Sequence, residues 1–526
     1  MSITIVSAKI TRFRRPKRLC MKATLVLLIG LLPVGLFSQS NSPTYKERYR
    51  PQYHFSPHHN WTNDPNGLVY YKGEYHLFYQ YNPMGNTWGH MSWAHAVSKD
   101  LVHWQSLPLA IPEDEKNMIF SGSCVVDKNN SSGFAQKPGQ IPMVAVYTAH
   151  IIPDKSKPDD YMQTQHIAYS LDDGRTWTKY IGNPVLDLHK KDFRDPKVLW
   201  YGPGKKWIMV TVLPNEHIMQ FHESRDLKTW SHLSDFGPAG DISGIWECPD
   251  LLQVPINGQP GNNKWVLMNS QQFTMQYFVG EFDGTVFHNE NPADTILRPD
   301  YGPDFYAGIT YNNLPPGQDP VLIGWANNWK YAQAIPTSPW RSAMSLPRSL
   351  RLKKAGKVWT VLQQPVKALQ TLRGTPVEWK NKSISTELVF PAKGQVIELD
   401  AELIPATAGV CGIRLAARDE QSIIISYNAS SQQLTVDRSK TGNIHFDNQF
   451  ANVSSATARV PLQAGKLRLH VFLDKSILEV YANDGATVLT TQLFPAANLD
   501  GIVFFSEKCV TKIQSVKVWP LKSIWH

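Results

Sequence analysis

Asp64-Pro65-Asn66-Gly67-Leu68-Val69-Tyr70-Tyr71 opens the stretch that decides the fold. An acid and a proline lead into an apolar run, Lys72-Gly73 supplies a turn, and residues 75–81 (YHLFYQY) form a second run. Asp195-Pro196-Lys197-Val198-Leu199-Trp200 repeats the pattern, with a Gly202–Gly204 turn before residues 207–212 (WIMVTV). Glu247-Cys248-Pro249-Asp250-Leu251-Leu252 repeats it again, before residues 265–268 (WVLM). Ser121-Gly122-Ser123-Cys124-Val125-Val126 and Phe305-Tyr306-Ala307-Gly308-Ile309-Thr310 start in the same manner without the acid. Short β-rich runs between Gly, Pro, Asn and Asp turns predict an all-β chain. Five such units between about 45 and 350 predict a five-bladed β-propeller. A recurring turn agrees: Ser98-Lys99-Asp100 precedes Trp104, Ser170-Leu171-Asp172 precedes Trp177, and Ser224-Arg225-Asp226 precedes Trp230. These three tryptophans read as structural.

In a propeller the first strand of each blade lines the central channel, so equivalent strand starts converge at one end of it. Asp64, Asp195 and Glu247, far apart in sequence, are therefore expected in one pocket. From about residue 375 the texture changes to alternating strands between polar turns, which predicts a C-terminal β-sandwich of about 150 residues. The expected organisation is a leader over 1–40, a propeller over 45–350, a linker over 351–374 and a sandwich over 375–522.

The 526 residues exceed one ordinary core, in keeping with two folded domains. An apolar fraction of 42% with 18% charged residues fits a soluble globular protein. The formal charge of +9 is concentrated at the start: Lys9, Arg12, Arg14, Arg15, Lys17, Arg18 and Lys22 lie in residues 1–22 without an acid. Nine less seven leaves a charge of about +2 for the rest, which argues against a nucleic-acid surface. The apolar run 23–37 and the polar Ser38–Ser42 that follow make a secretory signal layout, with Met21 as an alternative start. Gly30, Pro33 and Gly35 interrupt a run already short for a membrane span. Export to the periplasm or medium is expected, with no membrane span in the mature protein. Behind the leader stand Cys124, Cys248, Cys411 and Cys509, of which Cys411 and Cys509 are candidates for a disulfide. No Cys or His spacing reads as a metal site, and His58, His59, His90 and His95 read as ordinary polar contacts.

His59-Asn60-Trp61-Thr62-Asn63-Asp64-Pro65-Asn66-Gly67 resembles the sucrose-box motif of glycoside hydrolase family 32. Phe193-Arg194-Asp195-Pro196 and Trp246-Glu247-Cys248-Pro249 look like its two other signatures, in the expected order, and residues 471–485 resemble the family's sandwich. The likeness covers about residues 45–520, and three short motifs in order with the sandwich are far more specific than any one alone. Family members are retaining β-fructosidases, namely invertases, inulinases and levanases, built as a five-bladed propeller with a β-sandwich. Thr62 stands where the family often has Met, and Cys124 where a small residue such as Ala is usual.

The resemblance implies that Asp64 attacks C2 of a fructosyl unit and that Glu247 protonates the leaving group and then activates water. Those roles require Asp64 ionised and Glu247 protonated. Asp195 would accept hydrogen bonds from sugar hydroxyls, and Arg194 would neutralise the acids or orient Glu247. Asn63, Gln80, Trp88, Phe120, Ser121, Tyr306 and Trp325 are the further pocket residues that the family pattern implies, with no cofactor and no metal. Segment 85–95 resembles exo-inulinases and levanases more than intracellular invertases, so the expected activity is exo-cleavage of fructan (inulin or levan), with sucrose as second substrate. Three other readings stay open: an invertase acting mainly on sucrose, a five-bladed inverting glycosidase of the arabinanase or xylosidase type, and a non-catalytic fructan-binding protein. An isolated Asp at a strand start also reads as a turn cap, whereas three motifs in order favour chemistry at Asp64 and Glu247.

Overall fold

The computed structural model describes residues 45–525 apart from Pro260, Ala293 and 496–498; the leader lies outside the described residues. Strands dominate. Among the described residues the only helical turns are a 3-10 turn, Lys367–Leu372, and one short α-helix, Asn448–Asn452.

Five sheets hold the four strands of a blade each, in simple up-and-down order. Their innermost strands are Asn60–Tyr71, Asn117–Val126, Arg194–Tyr201, Trp246–Pro255 and Tyr306–Thr310. They define blades 1 to 5. The two-residue strand Trp340–Arg341 pairs in parallel with Asn60 and Trp61, so the last blade's connection returns to the first. Second strands such as Met143–Ile151 are buried on both faces, because each blade packs between two neighbours. Their Val, Ala and Tyr side chains suit that setting.

The Ser-x-Asp turns recur where blades 1, 2 and 3 pass from third to fourth strand. Ser98 Oγ and Ser224 Oγ each accept from the backbone N–H three residues on, at 2.8 Å. Asp100, Asp172 and Asp226 each accept further N–H groups of their own loops. Trp177 and Trp230 donate back to the turn carbonyls of Gly174 and Leu227.

Residues 351–374, expected as a linker, are largely part of blade 5. Arg348–Ala355 and Val358–Pro365 pair in continuous register from Arg348↔Pro365 to Ala355↔Val358, turning at Gly356. Leu350, Leu352, Trp359 and Val361 are buried against blade 4, and the charged residues 351, 353 and 354 masked that strand in the sequence. The C-terminal part is two six-stranded antiparallel sheets running from Val377 to Pro520. Leu399, Ile413, Leu469 and Phe504 lie in the core between them. The two parts share apolar contacts, with Phe472, Tyr481 and Val488 of the sandwich clustered with Leu68, Leu77 and Ile309 of the propeller. Cys411 and Cys509 are free thiols, and Cys509 Sγ lies 3.1 Å from Ser506 Oγ.

Candidate active site

All five innermost strands carry a register shift at the same height. Three of their residues span two of the partner strand at Thr62/Pro65, Ile119/Gly122, Arg194/Lys197, Glu247/Asp250 and Tyr306/Ile309. A bulge re-aims the side chains beside it. Here it turns Asp64, Ser121, Asp195 and Glu247 toward one mouth of the channel. In blades 3, 4 and 5 the first bulged residue takes a left-handed backbone: Asp195 (φ 61°), Cys248 (φ 47°) and Ala307 (φ 50°). Such conformations cost about 1–3 kcal/mol each and persist where packing imposes them. Gly67 is needed for close approach: a Cβ there would stand 2.6 Å from Phe78 and 2.9 Å from Trp93.

The three acids are held by few, specific partners. Asp64 accepts from Ser121 Oγ at 2.6 Å, from Asn63 Nδ2 at 3.1 Å and from Cys248 Sγ at 3.5 Å. Asn63 is itself fixed by Trp61 Nε1, which donates to its Oδ1 at 2.8 Å. Asp195 Oδ2 accepts the Cys248 backbone N–H at 2.9 Å. Arg194 donates to Glu247 Oε1 at 3.1 and 3.3 Å, and to Asp192 Oδ1 at 3.0 Å. Tyr306 Oη donates to Glu247 Oε2 at 2.5 Å.

Burial pushes the Asp64 carboxyl above its ordinary value, and the neighbouring Glu247 charge adds to this against the Ser121 hydrogen bond. Asp195 is pushed up to about 7, by burial first, with Arg194 opposing and Glu247 reinforcing. Burial opposes the charge of Arg194, but Glu247, Asp195 and Asp192 outweigh it and raise its pKa. Burial and the same carboxylates raise the Cys248 thiol well above the ordinary value, so it stays protonated and can donate to Asp64 and Asp195.

A pocket of about 440 Å³ opens over these groups. Asp64, Asp195, Glu247, Asn63, Gln80, Trp88, Phe120, Ser121 and Arg194 all line it. The other two expected residues stand behind the wall. Tyr306 is 2% exposed and reaches the site only through Glu247. Trp325 is 0% exposed, on a second strand, packed against Trp61 and Trp329 at ring distances of 6.0 and 4.7 Å. Trp329, four residues on, takes the wall position expected of Trp325. Thr62 is buried, and its Oγ1 donates to the Gln80 carbonyl at 2.9 Å, which supports the strand carrying Gln80.

The sequence reading missed His150, Pro158, Tyr161, Gln163, Asp192 and Trp329. Phe120, His150 and Tyr161 form an aromatic wall, with successive ring distances of 4.4 and 4.6 Å. Burial lowers His150 to about 4, so that ring is neutral. Below the acids the channel is filled: the Lys197 ammonium pairs with Asp250 at 2.9 Å, and the space beside it is about 10 Å³. The pocket therefore has one open end. Among the described residues no group of three or more His, Cys, Asp or Glu is arranged to hold a metal ion.

Two carboxylates and a third acid in a blind pocket at a propeller mouth, ringed by aromatic and amide side chains, define a glycoside hydrolase. The N-terminal-domain profile of glycosyl hydrolases family 32 matches residues 54–365, and the family's C-terminal profile matches residues 368–520. The chain belongs to glycoside hydrolase family 32. It is 45% identical to the levanase of Bacillus subtilis (strain 168), over 95% of this chain and 75% of that protein. It is 39% identical to the extracellular exo-inulinase of Aspergillus ficuum, over 95% and 99% of the two chains. The crystal structure of exo-inulinase from Aspergillus awamori superposes with a TM-score of 0.85 at 38% identity, covering 91% of this chain and 100% of that one.

Proposed function

We propose that the chain is a retaining exo-β-fructosidase that removes terminal fructose from fructans and from sucrose, with Asp64 as nucleophile and Glu247 as acid/base. The single observation that carries the reading is the blind pocket with three acids at its floor. A one-ended pocket admits a chain terminus and leaves the remainder in solvent, so each cleavage releases a monosaccharide.

In the first step the Asp64 carboxylate attacks C2 of the terminal fructosyl unit while Glu247 gives its proton to the departing oxygen. Ser121 and Asn63 orient Asp64 through the two hydrogen bonds described above. Arg194 holds Glu247 from one side and Tyr306 from the other, which fixes the carboxyl over the scissile bond. In the second step Glu247 takes a proton from water, which attacks C2 and frees Asp64. Asp195 accepts hydrogen bonds from sugar hydroxyls, bonds that strengthen as C2 becomes oxocarbenium-like. Trp88, Phe120 and Trp329 offer ring faces to the furanose and to the next unit.

The basic, apolar and polar leader supports export with cleavage near Ser38–Ser42. In line with export, the relatives named exo-inulinase are described as extracellular. Among the described residues no helix is long and apolar enough to cross a membrane.

Early-time chromatography of inulin and levan digests tests the reading. Free fructose as first and dominant product is expected. A ladder of short fructans before free fructose would refute exo action, and cleavage of sucrose alone would make the protein an invertase.

A further inference from the structure

The opposite mouth of the propeller is built as a site of its own, by the far ends of the same innermost strands. Trp200 lies five residues beyond Asp195, which at about 3.3 Å per residue places it about 17 Å down the strand. It is 39% exposed at the junction of two adjoining hollows of about 350 and 450 Å³, both of which it lines. Trp207 braces it edge-on, with ring centroids 5.0 Å apart, so one indole position is fixed before anything binds. Gln253 of blade 4, Asn313 and Gln318 after the first strand of blade 5, and Lys128 after that of blade 2 surround it. Tyr311, 5% exposed, contributes to the floor of the larger hollow.

We propose that this far mouth is a second carbohydrate site, which anchors a fructan chain on Trp200 away from the catalytic pocket. The inference rests on fructan being the substrate. A fixed indole face flanked by amides suits a neutral polyhydroxylated chain, which stacks C–H surfaces on the ring and hydrogen-bonds to side-chain amides. A polyanion would need several cations, and of the lining residues only Lys128 carries a positive charge. The Lys197–Asp250 pair blocks the channel between the two mouths, so a sugar held at Trp200 cannot reach the acids. Its effect is to keep the polymer close while successive termini enter the pocket.

The test is affinity electrophoresis of Glu247→Gln protein in gels containing levan or inulin, with saturating free fructose to occupy the catalytic pocket. Retardation that survives fructose is expected. Adding Trp200→Ala should weaken it about 3- to 10-fold, the effect of losing one well-placed aromatic contact, and Trp200→Phe should restore most of it. In otherwise native protein, Trp200→Ala should leave kcat/KM for sucrose unchanged, which reports an intact fold, and raise KM for long fructan. Retardation abolished by fructose, or undiminished by Trp200→Ala, would overturn the proposal. A sedimentation shift from dimer to monomer on Trp200→Ala, with polymer binding unaltered, would also overturn it and make this face a self-association surface. Failure of the catalytic reading would appear separately, as absence of sucrose and inulin hydrolysis by the unmodified enzyme.

Discussion

Asp195→Asn removes one charge from the acid cluster with almost no change of shape. The side-chain oxygen of Asn can still accept the Cys248 N–H that Asp195 takes at 2.9 Å, so the bulge should hold. What is lost is the ionised acceptor for sugar hydroxyls. A hydrogen bond to a charged group contributes about 1.5–3 kcal/mol, so losing two of them in the transition state costs about 3–6 kcal/mol. That corresponds to a kcat lower by about 10²–10⁴-fold with KM little changed. The pH profile gives a second readout. The Asp195 pKa is raised to about 7, so in the free enzyme its carboxyl holds a proton below that value and releases it above. Accepting from sugar hydroxyls needs the ionised form. The wild-type kcat/KM is therefore expected to be depressed below pH 7 and to rise as pH climbs through it, and the Asp195→Asn profile should lack that limb. Steady-state kinetics on sucrose and inulin across pH measures both. An unchanged kcat with a raised KM, or a limb near pH 7 that survives the substitution, would rule out this role for Asp195.

Glu247→Gln should depress turnover of sucrose far more than that of an activated aryl fructoside, because a good leaving group needs little protonation; equal losses on both substrates would count against the acid role. Arg194→Lys keeps the charge but loses the fork onto Glu247 and Asp192, and kcat/KM should fall about 10–100-fold, with Lys unable to reproduce the paired geometry. His54 is buried against Asp474 at 2.8 Å and Glu479 at 3.2 Å; burial opposes its charge, but those bonds raise its pKa from 6.5 to about 9. A raised folded-state pKa means that this stabilisation is complete below about pH 6.5 and is lost as pH climbs through 9, a change of about 3 kcal/mol. Urea unfolding at pH 6 and pH 9.5 should show that slope in the wild type and not in His54→Gln, and equal slopes would contradict it.

The blade count and the convergence of Asp64, Asp195 and Glu247 were legible because the fold repeats an acid, a proline and a strand at equivalent places. The convergence has a cause that the sequence does not display: the register shift in every innermost strand, set by packing against the second strand. Trp325 and Trp329 show the limit of motif reading. Both lie in one aromatic segment, but the strand ends at Trp325, so its ring turns into the core and the following turn presents Trp329. His150, Tyr161 and Gln163 come from the second and third strands of blade 2 and the loop between them, whose alternation looks like ordinary sheet; only the three-dimensional closure of the mouth brings them to the pocket. Blade 5 was cut short in the sequence because its third strand, Arg348–Ala355, is half charged and does not read as a buried strand.

The central claim, double displacement through Asp64, is tested most directly by mass spectrometry of Glu247→Gln protein quenched during turnover of an aryl β-fructofuranoside. An activated leaving group lets the first step proceed, and without the Glu247 carboxylate as base the second step is slow. Peptide mapping should find one fructosyl unit on the peptide that carries Asp64, and none in Asp64→Asn/Glu247→Gln. A burst of aryl alcohol with no adduct, or an adduct on any other residue, would contradict the account.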